Sequence, residues 1–345
     1  MLNILIDKNT FTNISSFYKY SDELNIIKYD NDLPLFEIIN NKILLNIDAI
    51  LILDGNINNN FITLSKLYNI PLIGIPRYNK SFQSLFLINN NINIPPTFCI
   101  NLESQNDFIV VLKDYKDDDL FVIKIEQGAK GLGQALLTKT ELIYLFELSN
   151  EELDYVFKEI ESVKVCDYEL RNNEDYIKEN TYDKNKMIDN KAIKKISNIK
   201  WNIHNNLLLS LKYRDNFIIQ KYIPNRLEYR MLWFYDNEPI IIKRDMDENV
   251  WQANACNNSD DSSKYLDRYD MVPFFNDLEQ INSVFNLLNT PFLSVDIYFD
   301  IDKNEWGIFE FQTEFGWTNT KDIPYTLMQQ RIHDSTLKLI KHIKK

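Results

Sequence analysis

Residues 121–137, FVIKIEQGAKGLGQALL, gather side chains and backbone of the kinds that could handle phosphate. The chain has seven glycines, and Gly128, Gly131 and Gly133 fall together here. A chain so poor in glycine clusters them where it needs positive φ or close approach of backbone to a ligand. Successive backbone N–H groups in such a loop form an anion-binding concavity, and Lys124 before it and Lys130 within it add charge. No Gly-Lys-Ser/Thr ends the loop, so it is not a Walker A loop. Its spacing is GxxGxG, so it is not the dinucleotide fingerprint either. Alone, the triplet reads either as a phosphate loop or as a loose hairpin turn.

A second group lies near the end of the chain. In FLSVDIYFD (292–300) strand alternation puts Ser294, Asp296 and Tyr298 on one face, and in WGIFEFQ (306–312) it puts Glu310 and Gln312 on one face. A hairpin centred near Lys303 sets Asp296 opposite Glu310 and Ser294 opposite Gln312. Cross-strand Cβ atoms lie roughly 5 Å apart, and like charges there are destabilising. At an effective dielectric near 20 the two carboxylates repel by about 3–4 kcal/mol. Protonating one acid, or holding a cation between them, relieves this. A hard cation among carboxylate and amide oxygens is a magnesium site. On that reading, replacing both acids by amides leaves the fold intact or slightly more stable. The competing reading is an acidic, wet sheet edge.

Two further places carry charge on otherwise apolar elements. In LEYRMLWF (227–234), Glu228, Arg230 and Leu232 share a face that lines either a site or solvent. Lys80 leads KSFQSLFLI, a helix whose Phe82, Leu85 and Phe86 make one apolar face. A lysine in a first helical turn is ordinarily solvated.

The elements that position these residues are legible in outline. Apolar runs at 1–7, 25–29, 48–53 and 71–75 alternate with helical intervals at 61–68 and 80–87, the pattern of a small α/β domain with a parallel sheet. NNNINIPP (89–96) closes it, since paired prolines force extended backbone. The glycine loop sits between two strands, followed by helical segments at 140–148 and 150–161. Residues 170–200 are charged and Asn-rich, a peripheral insertion. Strands follow at 217–222, 227–234 and 239–244, then a polar loop at 245–267, a helix at 275–288, the acidic hairpin and a terminal helix at 325–345 with a basic end favourable to its dipole.

Composition narrows the chemistry. The 345 residues, 45% hydrophobic and 13% aromatic, suit two or three globular domains. No apolar run reaches the roughly 18 residues of a membrane span, and the start lacks the pattern of a signal peptide. Three scattered cysteines, Cys99, Cys166 and Cys256, fit a reducing cytoplasm and argue against a zinc–thiolate site. Three isolated histidines argue against a histidine metal cluster or a Ser-His-Asp triad. A net charge of −12 disfavours nucleic acid as a partner.

In the order of these parts the chain resembles the ATP-grasp superfamily of carboxylate–amine ligases. It looks most like the branch that adds glutamate to a ribosomal protein, with the related peptide-macrocyclising and glutathione-synthetase-like ligases close by. The resemblance runs from about Arg77 to Trp317, leaving out an insertion near 150–205. It rests on RYNKSFQSLFLINNNINIPPT (77–97), on the glycine-loop stretch, on FIIQKYIPNRLEYRMLWF (217–234) and on SVDIYFD with WGIFEFQ. It implies an ATP-grasp fold of mixed α/β class, with an N-terminal α/β domain (1–95) and two α+β subdomains (96–221 and 222–345) clamping the nucleotide. It makes Lys80 and Lys124 the nucleotide lysines, with Gly128, Lys130, Gly131 and Gly133 over the phosphates. Gln220, Lys221, Tyr222 and Ile223 would flank adenine, and Glu228 would lie towards the ribose. Arg230, Arg244 and Asn254 would serve the phosphoryl group and the activated carboxylate, and Asp296, Glu310 and Gln312 the metal.

The implied reaction is ADP-forming. ATP phosphorylates a carboxylate, and an amine from an amino acid, peptide or protein displaces the phosphate. The implied cofactors are ATP and Mg2+ or Mn2+, in the cytoplasm, with the oligomeric state left open. The family's usual Asn after the second metal carboxylate is Gln312 here, and its Arg-x-Asn reads Gln252-Ala253-Asn254. A kinase on the same fold, and a nucleotide-binding interaction protein without turnover, remain as alternatives.

Overall fold

The computed structural model describes residues 1–7, 23–29, 46–52, 59–74, 78–100, 109–126, 134–146, 216–244, 263–266, 271–312 and 323–345. These form three sheets. The first contains β1 (Leu2–Asp7), β2 (Leu24–Tyr29), β3 (Ala49–Leu51) and β4 (Leu72–Ile73) in the order β2-β1-β3-β4, every pair parallel. Such strands are apolar on both faces because both are covered. Here α1 (Asn59–Tyr68) packs Phe61 and Leu64 against Leu5 and Ile50 on one side. The other side, with Ile4, Ile6 and Leu51, meets the terminal helix described below.

Helix α2 (Lys80–Asn89) follows, its N-terminus capped by the Asn79 side chain, which accepts from the Phe82 N–H at 2.9 Å. The second sheet comprises β5 (Thr97–Ile100), β6 (Leu120–Ile125), β7 (Gln134–Thr138) and β8 (Phe217–Lys221), antiparallel in the order β5-β8-β6-β7. Helix α3 (Lys139–Phe146) buries Leu142, Leu145 and Phe146.

The third sheet carries most of the candidate chemistry. It comprises β9 (Arg226–Phe234), β10 (Ile240–Arg244), β11 (Ser263–Leu266), β12 (Phe292–Asp300) and β13 (Glu305–Gln312), antiparallel in the order β11-β10-β9-β12-β13. Edge strand β11 lies in the stretch expected to be loop: SKYL has too little apolar alternation to declare itself, and its pairing with β10 decides it. One face of the sheet buries Met231, Trp233, Val295, Ile297 and Phe311 against Ile281, Val284 and Phe285 of α4 (Leu278–Asn286) and its vicinity. On the other face Leu232, Phe234, Ile240 and Ile242 meet α5 (Tyr325–Ile343), which is held between the third sheet and the parallel one. That second face changes character along the strands. It is apolar under α5 and charged at the end bearing Glu228, Arg230, Arg244 and Asp296.

Candidate functional site

Strand register assembles the charged end. Arg230 on β9 lies opposite Asp296 on β12, and Glu228 lies opposite Arg244 on β10. Across the hairpin Asp296 pairs with Glu310 and Ser294 with Gln312, as the sequence suggests. The route to that pairing is different. Nearer the turn Ile297 pairs with Ile308 and Asp300 with Glu305, so Phe309 is an extra residue in a β-bulge. An unbulged ladder running from the turn would set Asp296 against Phe309 and send Glu310 to the opposite face, because a slip of one residue inverts a strand. The bulge therefore puts Glu310 in the site, and it also turns the Phe309 ring towards it.

Asp296 is held by two guanidiniums. Arg230 grips it bidentately, Nε to Oδ1 at 2.9 Å and Nη2 to Oδ2 at 3.2 Å, while Arg244 Nη2 reaches Oδ1 at 3.3 Å. Burial alone would raise the Asp296 carboxyl, but these charges outweigh it and hold the group at about 2. Arg230 is pushed up in spite of its burial, chiefly by Asp296. Arg244, with one longer contact, is pushed down because burial wins. Beside the protonation or bound cation that the sequence reading weighed, two arginines offset the Asp296 charge within the chain itself. Glu310 Oε1 accepts from Gln312 Nε2 at 2.7 Å. Two carboxylates facing across one ladder remain a donor set that fits a hard divalent cation, with Asp296 shared between cation and arginines. Among the described residues no group of three or more His, Cys, Asp and Glu side chains converges as a ready-made cage.

The two lysines arrive from other elements. Lys80 is buried, and α2 also buries Gln83, Ser84 and Leu87, while Phe82 and Leu85 of its apolar face are 42% and 56% exposed. Phe86, the third residue of that face, does pack on Phe311, so the helix is rotated away from its amphipathic pattern and not inverted. Gln83 explains the orientation: its Oε1 accepts from the Phe311 N–H at 3.0 Å on edge strand β13, and its Nε2 donates to the Tyr78 carbonyl at 2.9 Å. Lys124 leaves β6 with its Nζ 5.7 Å from the Phe309 ring centroid. Burial pushes its amine down, with Glu310, Glu228 and Asp296 opposing that and Lys80 adding to it. Five charged groups, Lys80, Lys124, Glu228, Asp296 and Glu310, from five elements therefore share one electrostatic neighbourhood. Glu126 ties two of those elements together, accepting from the Ser81 N–H at 3.2 Å and the Ser81 hydroxyl at 2.9 Å. That clasp fixes the start of α2, and Lys80 with it, against the end of β6.

The hinge between the second and third sheets holds the remaining expected residues. Gln220 is buried, and its Nε2 donates to Thr97 Oγ1 at 3.1 Å. Lys221 sends its amine to Asp119 and over the Tyr115 and Phe121 rings, so its side chain fastens β8 to the turn before β6. The Lys221 and Tyr222 N–H groups donate to Pro96 and Leu120, each at 2.9 Å. The Ile223 carbonyl accepts from Arg226 at 2.6 Å, and Glu228 is paired with the same arginine. Sequence reasoning missed Arg226, Glu126 and Phe309. The contacts of Glu126 and Phe309 depend on an inter-sheet approach and a bulge that no local pattern announces. Arg226, in contrast, bonds Ile223 and Glu228 close by in sequence, and its alternation with Glu228 and Arg230 along one strand was the signal that could have found it. Gly128, Lys130, Gly131, Gly133, Asn254 and the insertion near 150–205 lie outside the described residues.

The chain matches no protein-family profile and no curated protein sequence. Among solved structures it is similar to a D-alanine–D-alanine ligase from Bacillus anthracis, 14% identical over 99% of each chain with a TM-score of 0.54. It is similar to a RiPP-associated ATP-grasp ligase from Chryseobacterium gregarium, in complex with ADP and a leader and core peptide. That match is 13% identical over 98% of this chain and 97% of the other, with a TM-score of 0.52. An N5-carboxyaminoimidazole synthetase from Staphylococcus aureus is 10% identical over 97% of this chain and 77% of the other, at 0.53. The chain has the ATP-grasp fold, as the sequence resemblance implies.

Proposed function

We propose that this ATP-grasp chain is an ATP-dependent, ADP-forming carboxylate–amine ligase that joins an amine to a carboxylate through an acyl phosphate. The observation that carries the reading is the convergence of Lys80 and Lys124, from separate elements, on the Glu228, Asp296 and Glu310 face of the third sheet. Buried ammonium groups beside carboxylates make a site that neutralises polyphosphate without a side-chain nucleophile. Catalysis then consists of positioning and charge stabilisation. Lys80, Lys124 and the 127–133 loop hold the phosphates, and the hinge at 220–223 with Glu228 holds the nucleoside. Arg230 and Arg244 face the transferred phosphoryl group and the carboxylate it activates. Asp296 and Glu310, with Gln312, would hold Mg2+ or Mn2+, which supplies charge neutralisation on the phosphates. The ADP- and peptide-bound neighbour supports a peptide or protein as one reactant. A reducing cytoplasm, with its ATP, suits the scattered cysteines.

The test is incubation of the protein with ATP, magnesium and cell extract, followed by mass spectrometry. ADP, phosphate and a product whose mass is acid plus amine less water are expected. Formation of AMP, or transfer of phosphate to a hydroxyl as the stable product, overturns the proposal.

A further inference from the structure

Arg226, the first residue of β9, lies between the hinge and Glu228, and the inference drawn from it rests on the nucleotide reading above. Its guanidinium makes a three-point brace. Nη1 donates to the Ile223 carbonyl at 2.6 Å, Nε donates to Glu228 Oε1 at 2.7 Å, and Nη2 lies 2.5 Å from that same oxygen. The planar group lies 4.7 Å from the Tyr222 ring centroid and 5.6 Å from that of Phe309. The Arg226 side chain is only 5% exposed and the Glu228 side chain 8%. Two planar, desolvated partners in this arrangement have little rotational freedom.

We propose that Arg226 is a positioning residue for the nucleotide sugar. Among the described contacts both of its bonds to Glu228 fall on Oε1, which assigns Oε2 as the acceptor for a ribose hydroxyl. The third bond fixes the distance from that acceptor to the hinge. It also claims one of the two lone pairs of the Ile223 carbonyl. A point-charge ammonium cannot span the carbonyl and the carboxylate together, so lysine is not an equivalent residue here. Removing the brace takes from a buried carboxylate the guanidinium hydrogen-bonded to it, and the carboxylate moves away from its productive place, towards the other cations around it. The discrimination at stake is between nucleotides with and without a 2′-hydroxyl.

The test is calorimetric titration of the full chain with ATP and with 2′-deoxy-ATP, for the parent, Arg226→Met, Arg226→Lys and Glu228→Gln. The parent should prefer ATP. Arg226→Met should lose about tenfold in ATP affinity, the range of one charge-assisted hydrogen bond. It should lose much less for 2′-deoxy-ATP, so that the preference narrows. Arg226→Lys, which keeps the charge, should stay folded and still narrow it. Glu228→Gln should narrow it to the same extent, and Arg226→Met combined with Glu228→Gln should narrow it no further. Equal losses for the two nucleotides, or an unchanged preference, would leave Arg226 a strut of the fold and overturn the inference alone. A parent chain that binds neither nucleotide overturns the nucleotide reading as well.

Discussion

Asp296→Asn is the substitution on which the expectation from sequence and the structure part in sign. If repulsion between Asp296 and Glu310 dominated, removing one charge would stabilise the chain. The structure instead gives Asp296 two guanidinium partners, and the carboxyl is held at about 2 against an ordinary value of 3.8. A depression of that size corresponds to about 2 kcal/mol of stability. The folded value lies below the unfolded one. The stabilisation is therefore complete above about pH 4 and is lost as pH falls from there towards 2. Asparagine keeps the volume but leaves Arg230 and Arg244 facing each other with little solvent, which adds to the loss. Asp296→Asn should therefore destabilise the chain by at least about 2 kcal/mol at neutral pH. Urea unfolding followed by tryptophan fluorescence reads this directly, since Trp233 is buried in the same sheet. The gap between parent and variant should be flat at neutral pH and should narrow below about pH 4. A variant as stable as the parent, or more stable, at neutral pH would refute the reasoning and restore carboxylate repulsion as the dominant effect.

Lys124→Met removes an amine whose charge is disfavoured by burial. The thermal midpoint without nucleotide should hold steady or rise, while the ATP-induced shift should shrink. Differential scanning fluorimetry with and without ATP checks both, and an undiminished ATP shift removes Lys124 from the nucleotide site. Gly307 lies on β13 where an added Cβ would meet Tyr298 Oη at 2.4 Å and the Asn93 carbonyl oxygen at 2.6 Å. Because that carbonyl accepts the Ile308 N–H at 2.8 Å, it cannot retreat without breaking the ladder's neighbour contact. Gly307→Ala should cost about 1–3 kcal/mol in urea unfolding, the range for overpacking, and a neutral substitution would show that Tyr298 yields freely.

Alternating strand and helix patterns determined the parallel sheet, and strand–loop–strand chemistry determined the β6–β7 pair. These patterns are local, and each needs only a few residues to express its period. Polar alternation along 292–300 and 306–312 likewise determined that Asp296 and Glu310 are candidates for one face. Tertiary structure decided the rest. The Phe309 bulge made that register real, because the turn alone sets the opposite one. Arg230 and Arg244 come to Asp296 from two other strands, so its charge balance was invisible along the chain. Helix α2 buries Lys80 and exposes Phe82 because Gln83 is claimed by the Phe311 N–H far away in sequence. Hydrophobic period specifies which residues share a face. Whether that face turns inward depends on the hydrogen bonds and charges that another element presents, and a long-range partner of this kind leaves no period in the sequence.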